Sequence, residues 1–356
     1  MAKNHHIIHM KLVVNKIVAQ CLQPLPERQQ EVLRCRYGLG DGRELTLAEL
    51  GVRYGVTRER IRQIQNLGLD AVRAEGSKNG IDAFAGMVTA HLETLGGVRK
   101  EDALFADVAY VASDNGPKET LGNRVRFLLE ASGKLSFAPA DKDAHATWGL
   151  TSEHMKHAKL FAVKLATTLA SKKDEVLAEK KFNHYFGACA AQHGVTDAVG
   201  ANFVSASKRF MVNHYGDAGL AAWSEINPKT SRDWAYLTLK KERKPLHFTD
   251  IANLINTVRK NKRTNHQTVH NELIKDERFV LVGRGLYGLR EFGIIPGTAR
   301  EVIAHFLKKH GSLKSHQLVD VILKERAFKP NTILLNLQNK KYFQRNADGR
   351  YTVREA

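Results

Sequence analysis

From residue 25 to residue 73 the chain reads LPERQQEVLRCRYGLGDGRELTLAELGVRYGVTRERIRQIQNLGLDAVR, with short apolar groups recurring among long polar side chains at helical spacing. Pro26 to Arg36 sets Val32 and Leu33 among charges, which predicts an amphipathic helix stopped by the turn-rich run from Tyr37 to Gly42. Thr46 with Glu49 three residues on forms a capping box for a short helix through Tyr54. Gly55 suits the left-handed position after that helix, and Thr57 can cap the next. The prediction is helix, tight turn, helix. On the last helix, at about 100° per residue, Ile61, Ile64 and Val72 gather on one side, while Arg58, Glu59, Arg62, Gln63 and Asn66 gather on the other. One face holds the fold and the other is free to read.

Toward the C-terminus a second pattern repeats. TVHNELIKDERFVLVGRGLYGL (268–289) aligns without a gap on TILLNLQNKKYFQRNADGRYTV (332–353), pairing Thr268 with Thr332, Leu273 with Leu337, Phe279 with Phe343, Gly285 with Gly349 and Tyr287 with Tyr351. Each copy predicts a helix, a strand around the Phe, a glycine-containing hairpin turn and a strand around the Tyr, the end of a winged helix. FTDIANLINTVRK and SHQLVDVILKERA supply a short amphipathic helix before each. A more diverged copy occupies residues 86–150, with Trp148 in the place of the Tyr. Residues 151–215, rich in Ala, Lys and His, read as a connecting helical segment. Trp223 and Trp234, around an Asn-Pro turn, read as core aromatics packing that segment against the next winged helix.

The predicted class is mainly α and multidomain: an N-terminal tail (1–14), a helix-turn-helix (15–76), a divergent winged helix (81–150), a helical segment (151–235), a winged helix (236–292) and a C-terminal winged helix (297–356). The 356 residues are 43% hydrophobic, enough for more than one core. A net charge of +18 implies a polyanionic partner, with nucleic acid first and an acidic membrane surface second. The longest apolar run, Leu160 to Ala170, is interrupted by Lys164 and reaches about half of the roughly 20 residues a bilayer requires. The first residues carry no export signal, and Cys21, Cys35 and Cys189 are unpaired in spacing, so the expectation is a cytoplasmic, nucleoid-associated protein with reduced thiols.

Arginine can bridge guanine O6 and N7, glutamine can bridge adenine N6 and N7, and glutamate can accept from cytosine N4. Arg58, Glu59, Arg62 and Gln63 lie in the first two turns of their helix, where a recognition helix touches bases, so they are the candidate base readers. The alternative is a solvated, salt-bridged face. Residues 25–73 resemble region 4 of the housekeeping class of bacterial sigma factors. Leu-Pro-x-Arg, Arg-Tyr-Gly-Leu, Thr-Leu-x-Glu-hydrophobic-Gly and Thr-Arg-Glu-Arg-Ile-Arg-Gln-Ile stand here nearly intact. The resemblance implies entry of the second helix into the major groove of a promoter element, with Thr46, Leu47 and Arg60 near the phosphate backbone, and it permits docking on RNA polymerase. Two departures matter. Where the family continues with Glu, Lys and alanines, this chain has QNLGLD, and Gly68 costs about 1 kcal/mol in a helix, so the distal half is expected to be looser. Fewer than thirty residues precede the match, none resembling the promoter-melting helices, so a complete sigma factor is not expected.

Residues 243–291 resemble the HARE-HTH domain, the winged-helix module of the RNA polymerase delta subunit and of chromatin and restriction proteins, through Pro-Leu-His-Phe-x-x-Ile and Phe-Val-x-Val-Gly-x-Gly-x-Tyr-x-Leu. That likeness implies DNA binding or docking in the transcription apparatus. Lys240, Lys241, Arg243 and Lys244, with Arg259, Lys260, Lys262 and Arg263, form basic clusters suited to phosphates. Catalysis is not expected. Cys189 and His193 with His184 nearby make one loose pair where structural zinc takes four ligands. Glu179-Lys180 lacks the acidic strand partner of a nuclease, and His5, His6 and His9 read as a tail. With no cofactor or metal expected, the reading is a sequence-specific transcription factor binding double-stranded DNA. An RNA polymerase accessory subunit and a DNA-processing enzyme are the alternatives; target sequence and oligomeric state stay open.

Overall fold

Local capping sets the helix ends of the N-terminal part, and the apolar faces then decide which helices share a core. The computed structural model describes residues 13–111, 116–259, 262–295, 297–326 and 328–354. The chain is mainly α, with eighteen α-helices and small sheets of two or three strands among the described residues. It divides into two compact units, residues 1–211 with 218–221, and residues 212–217 with 222–356.

The first unit opens with α1 (Val14–Leu22), α2 (Glu27–Arg36), α3 (Leu47–Tyr54) and α4 (Arg58–Ala74). Thr46 closes its capping box with Glu49, Gly55 takes φ 64° after α3, and Thr57 accepts from the Arg60 amide. Two cores serve these helices. Val32, Leu50, Ile61 and Ile64 make a small one inside the helix-turn-helix. Leu25, Leu33, Tyr37, Leu69 and Val72 join a larger one with α1, Phe84, Val125, Leu128 and Trp148. The expected boundary between residues 76 and 81 therefore crosses a continuous core. Neighbouring residues on α2, Val32 and Leu33, turn to different cores, which one amphipathic stripe does not foresee. The expected tail also ends early, because Val14 is fully buried and starts α1. His5, His6 and His9 lie outside the described residues.

Polar contacts fasten the same junction. The Tyr37 hydroxyl donates to Glu130, Arg73 Nε donates to the Ala131 carbonyl at 3.2 Å, and Arg126 bridges Glu44 at 2.7 Å and Glu101 at 2.8 Å. Gly68 corrects the expectation of a loose distal half: α4 runs unbroken through it to Ala74. A Cβ there would stand 3.0 Å from Leu33 Cδ1, so glycine lets α2 and α4 approach, and packing outweighs propensity.

Three stretches share one order of elements: helix, short strand, two helices, two-stranded wing. They are the helices Ile81–Thr94, Glu101–Val111 and Leu121–Ser132; Ser231–Glu242, Phe248–Val258 and His266–Lys275; and Ala299–His310, Ser315–Glu325 and Pro330–Leu337. In each antiparallel sheet the last strand lies between the first and the second, with Trp148 opposite Arg99, Tyr287 opposite Leu246 and Tyr351 opposite Leu313. The expected start at 236 cuts a helix. A Thr230–Asp233 capping box begins it, and Trp234 and Ala235 sit in the same core as Ile251 and Val269, so Trp234 belongs to the winged helix itself. Between residues 152 and 206 the chain forms four helices, with Phe161, Leu165 and Phe203 buried, but the expected helical segment through 235 is corrected at its end, where Phe210–Val212 and Ala218–Leu220 pair as a two-stranded sheet.

Candidate nucleic-acid interface

Ile61 and Ile64, 0% and 7% exposed, seat α4 on α2 and α3, which leaves the opposite face of its first two turns outward. Arg58, Glu59, Arg62 and Gln63 are all exposed there. The Arg58 side chain is exposed and forms no ion pair among the described residues. Arg62 instead clasps Glu59 with two bonds, Nε at 2.9 Å and Nη2 at 2.6 Å. That clasp holds the Glu59 carboxyl below the usual range and raises Arg62. Arg60 Nη1 donates to Gln63 Oε1 at 3.1 Å. Such i,i+3 pairs on a wet surface contribute little stability. They instead pre-set long side chains that otherwise lose rotamer freedom on binding.

Among the backbone candidates, the exposed Thr46 uses its hydroxyl to accept from the Glu49 amide at 3.2 Å. Leu47 turns its side chain onto the small core, so only its main chain remains for a phosphate. Lys244, Lys262 and Arg263 are exposed, and Lys260 lies outside the described residues. Two further members of the basic clusters serve the fold. Arg259 donates to Thr264 at 3.3 Å, and Lys240 pairs with Glu291 at 3.8 Å.

Sequence reasoning passed over Arg28 and Arg53, exposed cations that flank the Tyr54 ring at 5.3 and 5.6 Å on the small core. Their spacing carried no signal, because the tyrosine that gathers them comes from a different helix than Arg28. Charge is also unevenly placed. Residues 25–73 hold nine arginines against seven acids, whereas the second unit holds 26 Lys and Arg against 14 Asp and Glu. The potential reading surface is nearly balanced, and the cationic surplus sits mostly elsewhere.

Cys189 is buried, and the His193 ring packs at 5.4 Å from Phe161 and 5.8 Å from His157. Glu179 pairs with Lys181 at 2.6 Å at the end of a helix. Among the described residues no group of three or more His, Cys, Asp or Glu could hold a metal ion, and no helix is long and apolar enough to cross a membrane.

A capped helix-turn-helix with an outward face of arginine, glutamate and glutamine defines the class of the N-terminal module. Residues 21–74 match the model of Sigma-70, region 4, and carry a domain of that kind. RNA polymerase sigma factor SigA of Bacillus sp is 56% identical over 52 residues, 15% of this chain and 14% of the relative. RNA polymerase sigma factor SigA4 of Synechococcus elongatus is 43% identical over 72 residues, 20% of this chain and 21% of the relative. RNA polymerase principal sigma factor HrdD of Streptomyces griseus is 44% identical over 61 residues, 17% of this chain and 18% of the relative. The chain thus spans about a fifth or less of the length of these curated relatives. No solved structure matches it.

Proposed function

We propose that the protein is a sequence-specific DNA-binding transcription factor. It reads a promoter-like duplex element with the first two turns of α4 and acts with RNA polymerase, without melting the promoter itself. The observation that carries this reading is the seat of Ile61 and Ile64, which turns Arg58, Arg62 and Gln63 outward together on a helix of region 4 kind. The winged helices, two of them in the strongly basic second unit, add sequence-tolerant phosphate contacts and raise avidity. The setting is the nucleoid in the cytoplasm.

The test is selection of preferred duplexes with the full chain, followed by titration of Arg58→Ala and Gln63→Ala variants. Each is expected to lose about 1–3 kcal/mol on the selected site and far less on random DNA. Equal losses on both would make the two residues phosphate contacts. The protein acts without catalysis on this reading. Duplex DNA incubated with it and magnesium, manganese or zinc stays intact, and cleavage that disappears in Glu179→Ala would reverse that view.

One observation favours a second reading, an accessory subunit of RNA polymerase akin to delta. In the C-terminal winged helix, the helix Pro330–Leu337 exposes Leu334 and Leu335, at 37% and 66%, where a reading helix carries polar groups. Recovery of RNA polymerase by the full chain without DNA, lost in Leu335→Asp, supports it.

A further inference from the structure

In the first unit the wing of the divergent winged helix does not stand free. Its loop, residues 139–146, lies against the helices Ser152–Ala170 and Asp197–Ala206. Main-chain bonds clamp it there. The His145 amide donates to the Ala206 carbonyl at 2.9 Å, the Lys208 amide donates to the Asp143 carbonyl at 2.8 Å, and Ala144 bridges Ser207 in antiparallel fashion. Loop and helices together surround a cavity of about 150 Å³, lined entirely from this one unit. Val98, Ala158, Ala162, Phe203 and Ala206 line it, none more than 9% exposed. Cores normally fill such space with side chains. Here the walls are largely alanine, and the clamped loop holds the frame open around them.

The charged groups of the lining are already answered. Asp143 pairs with Arg209 at 3.0 Å, and Asp141 accepts from the amides of Asp143 and Ala144, both at 2.7 Å. Lys159 is exposed and keeps its charge in water. There remains His145, half-buried in the lining, whose ring meets no hydrogen-bond partner among the described residues. Burial, followed by the charges of Lys100 and Lys208 against that of Asp102, holds its pKa below the ordinary 6.5. At neutral pH the ring is therefore uncharged, with one nitrogen that donates and one that accepts.

We propose that this cavity binds a small neutral aromatic molecule, about one ring in size, whose hydroxyl or N–H group bonds to His145. An apolar cavity of about this volume admits a single benzene ring. Phe203 supplies an aromatic wall, against which a second ring packs edge-to-face or offset. An ionised ligand would find no free counter-charge among the apolar walls, and its burial costs far more than that of a neutral one. No residue of α4 lines the cavity, so the site is separate from base reading.

Calorimetric titration of the full chain with phenol at neutral pH should show saturable binding, and phenol should raise the melting temperature with its concentration. Ala162→Leu, which fills the cavity, should abolish that binding and by itself raise the melting temperature. His145→Ala should weaken binding about three- to tenfold through the lost hydrogen bond. A native chain that takes up no phenol at millimolar concentration would overturn the proposal, as would binding that both variants leave unchanged. If Ala162→Leu does not fold, His145→Ala decides alone. Either result leaves the part of Arg58 and Gln63 in base reading untouched.

Discussion

Replacing Gly68 by alanine tests whether close packing, rather than helix propensity, places the reading helix. In an open helix position the change gains about 1 kcal/mol, because alanine loses less backbone entropy. At Gly68 the new Cβ would stand 3.0 Å from Leu33 Cδ1 and 3.7 Å from Gln29 Cβ, and Leu33 is fully buried. Overpacking of a fixed core costs about 1–3 kcal/mol, so the net change is a loss of about 0–2 kcal/mol. Gly86 is the internal control: it lies in the helix Ile81–Thr94, is exposed, and has nothing within 4 Å of an added Cβ. Gly86→Ala should raise the melting temperature by about 2–4 °C for a unit of this size. The difference between the two variants isolates the steric cost, since propensity cancels. Urea unfolding followed by circular dichroism measures it, and in a Leu33→Ala background, itself destabilised, the effect of Gly68→Ala should shift from a loss toward a gain, a coupling that a double-mutant cycle reads directly. Equal gains from both glycine replacements would refute the reasoning and restore propensity as the governing term.

Acid should loosen the first unit through Asp107. Burial works against its ionised form, but hydrogen bonds from Arg99 and His91 prevail and hold its pKa below the ordinary 3.8. A depressed folded-state pKa contributes stability present above the unfolded value and lost as pH falls through the folded one, so Asp107→Asn should flatten the stability curve below about pH 4. Lys262→Ala and Arg263→Ala, tested by fluorescence anisotropy on selected and random duplexes, should weaken both alike and each reduce the salt slope by about one; a loss confined to the selected site would make them base readers.

Elements with local causes could be read from the residues alone. Thr46 with Glu49, Gly55 and Thr57 are signals within four residues of what they control, so the helix-turn-helix and its outward polar face were legible without coordinates. The paired wings were legible for a similar reason, since a hairpin turn at Gly285 or Gly349 sits between the strands it joins. Tertiary structure alone decided where those elements are fastened. Leu33 and Val32 are adjacent and equally apolar, yet one enters the larger core with Val125 and Leu128 and the other the small core with Ile61. Gly68 reads as a flaw in a helix until Leu33 is seen against it, and Trp234 reads as a linker aromatic until Ile251 and Val269 close over it. Arg326 is one arginine among many in the sequence, and only the carbonyls of Leu281, Ile295 and Gly297 make it a buried cation. Periodicity reports which side of an element is apolar, whereas the choice of partner depends on distances between residues far apart in the chain.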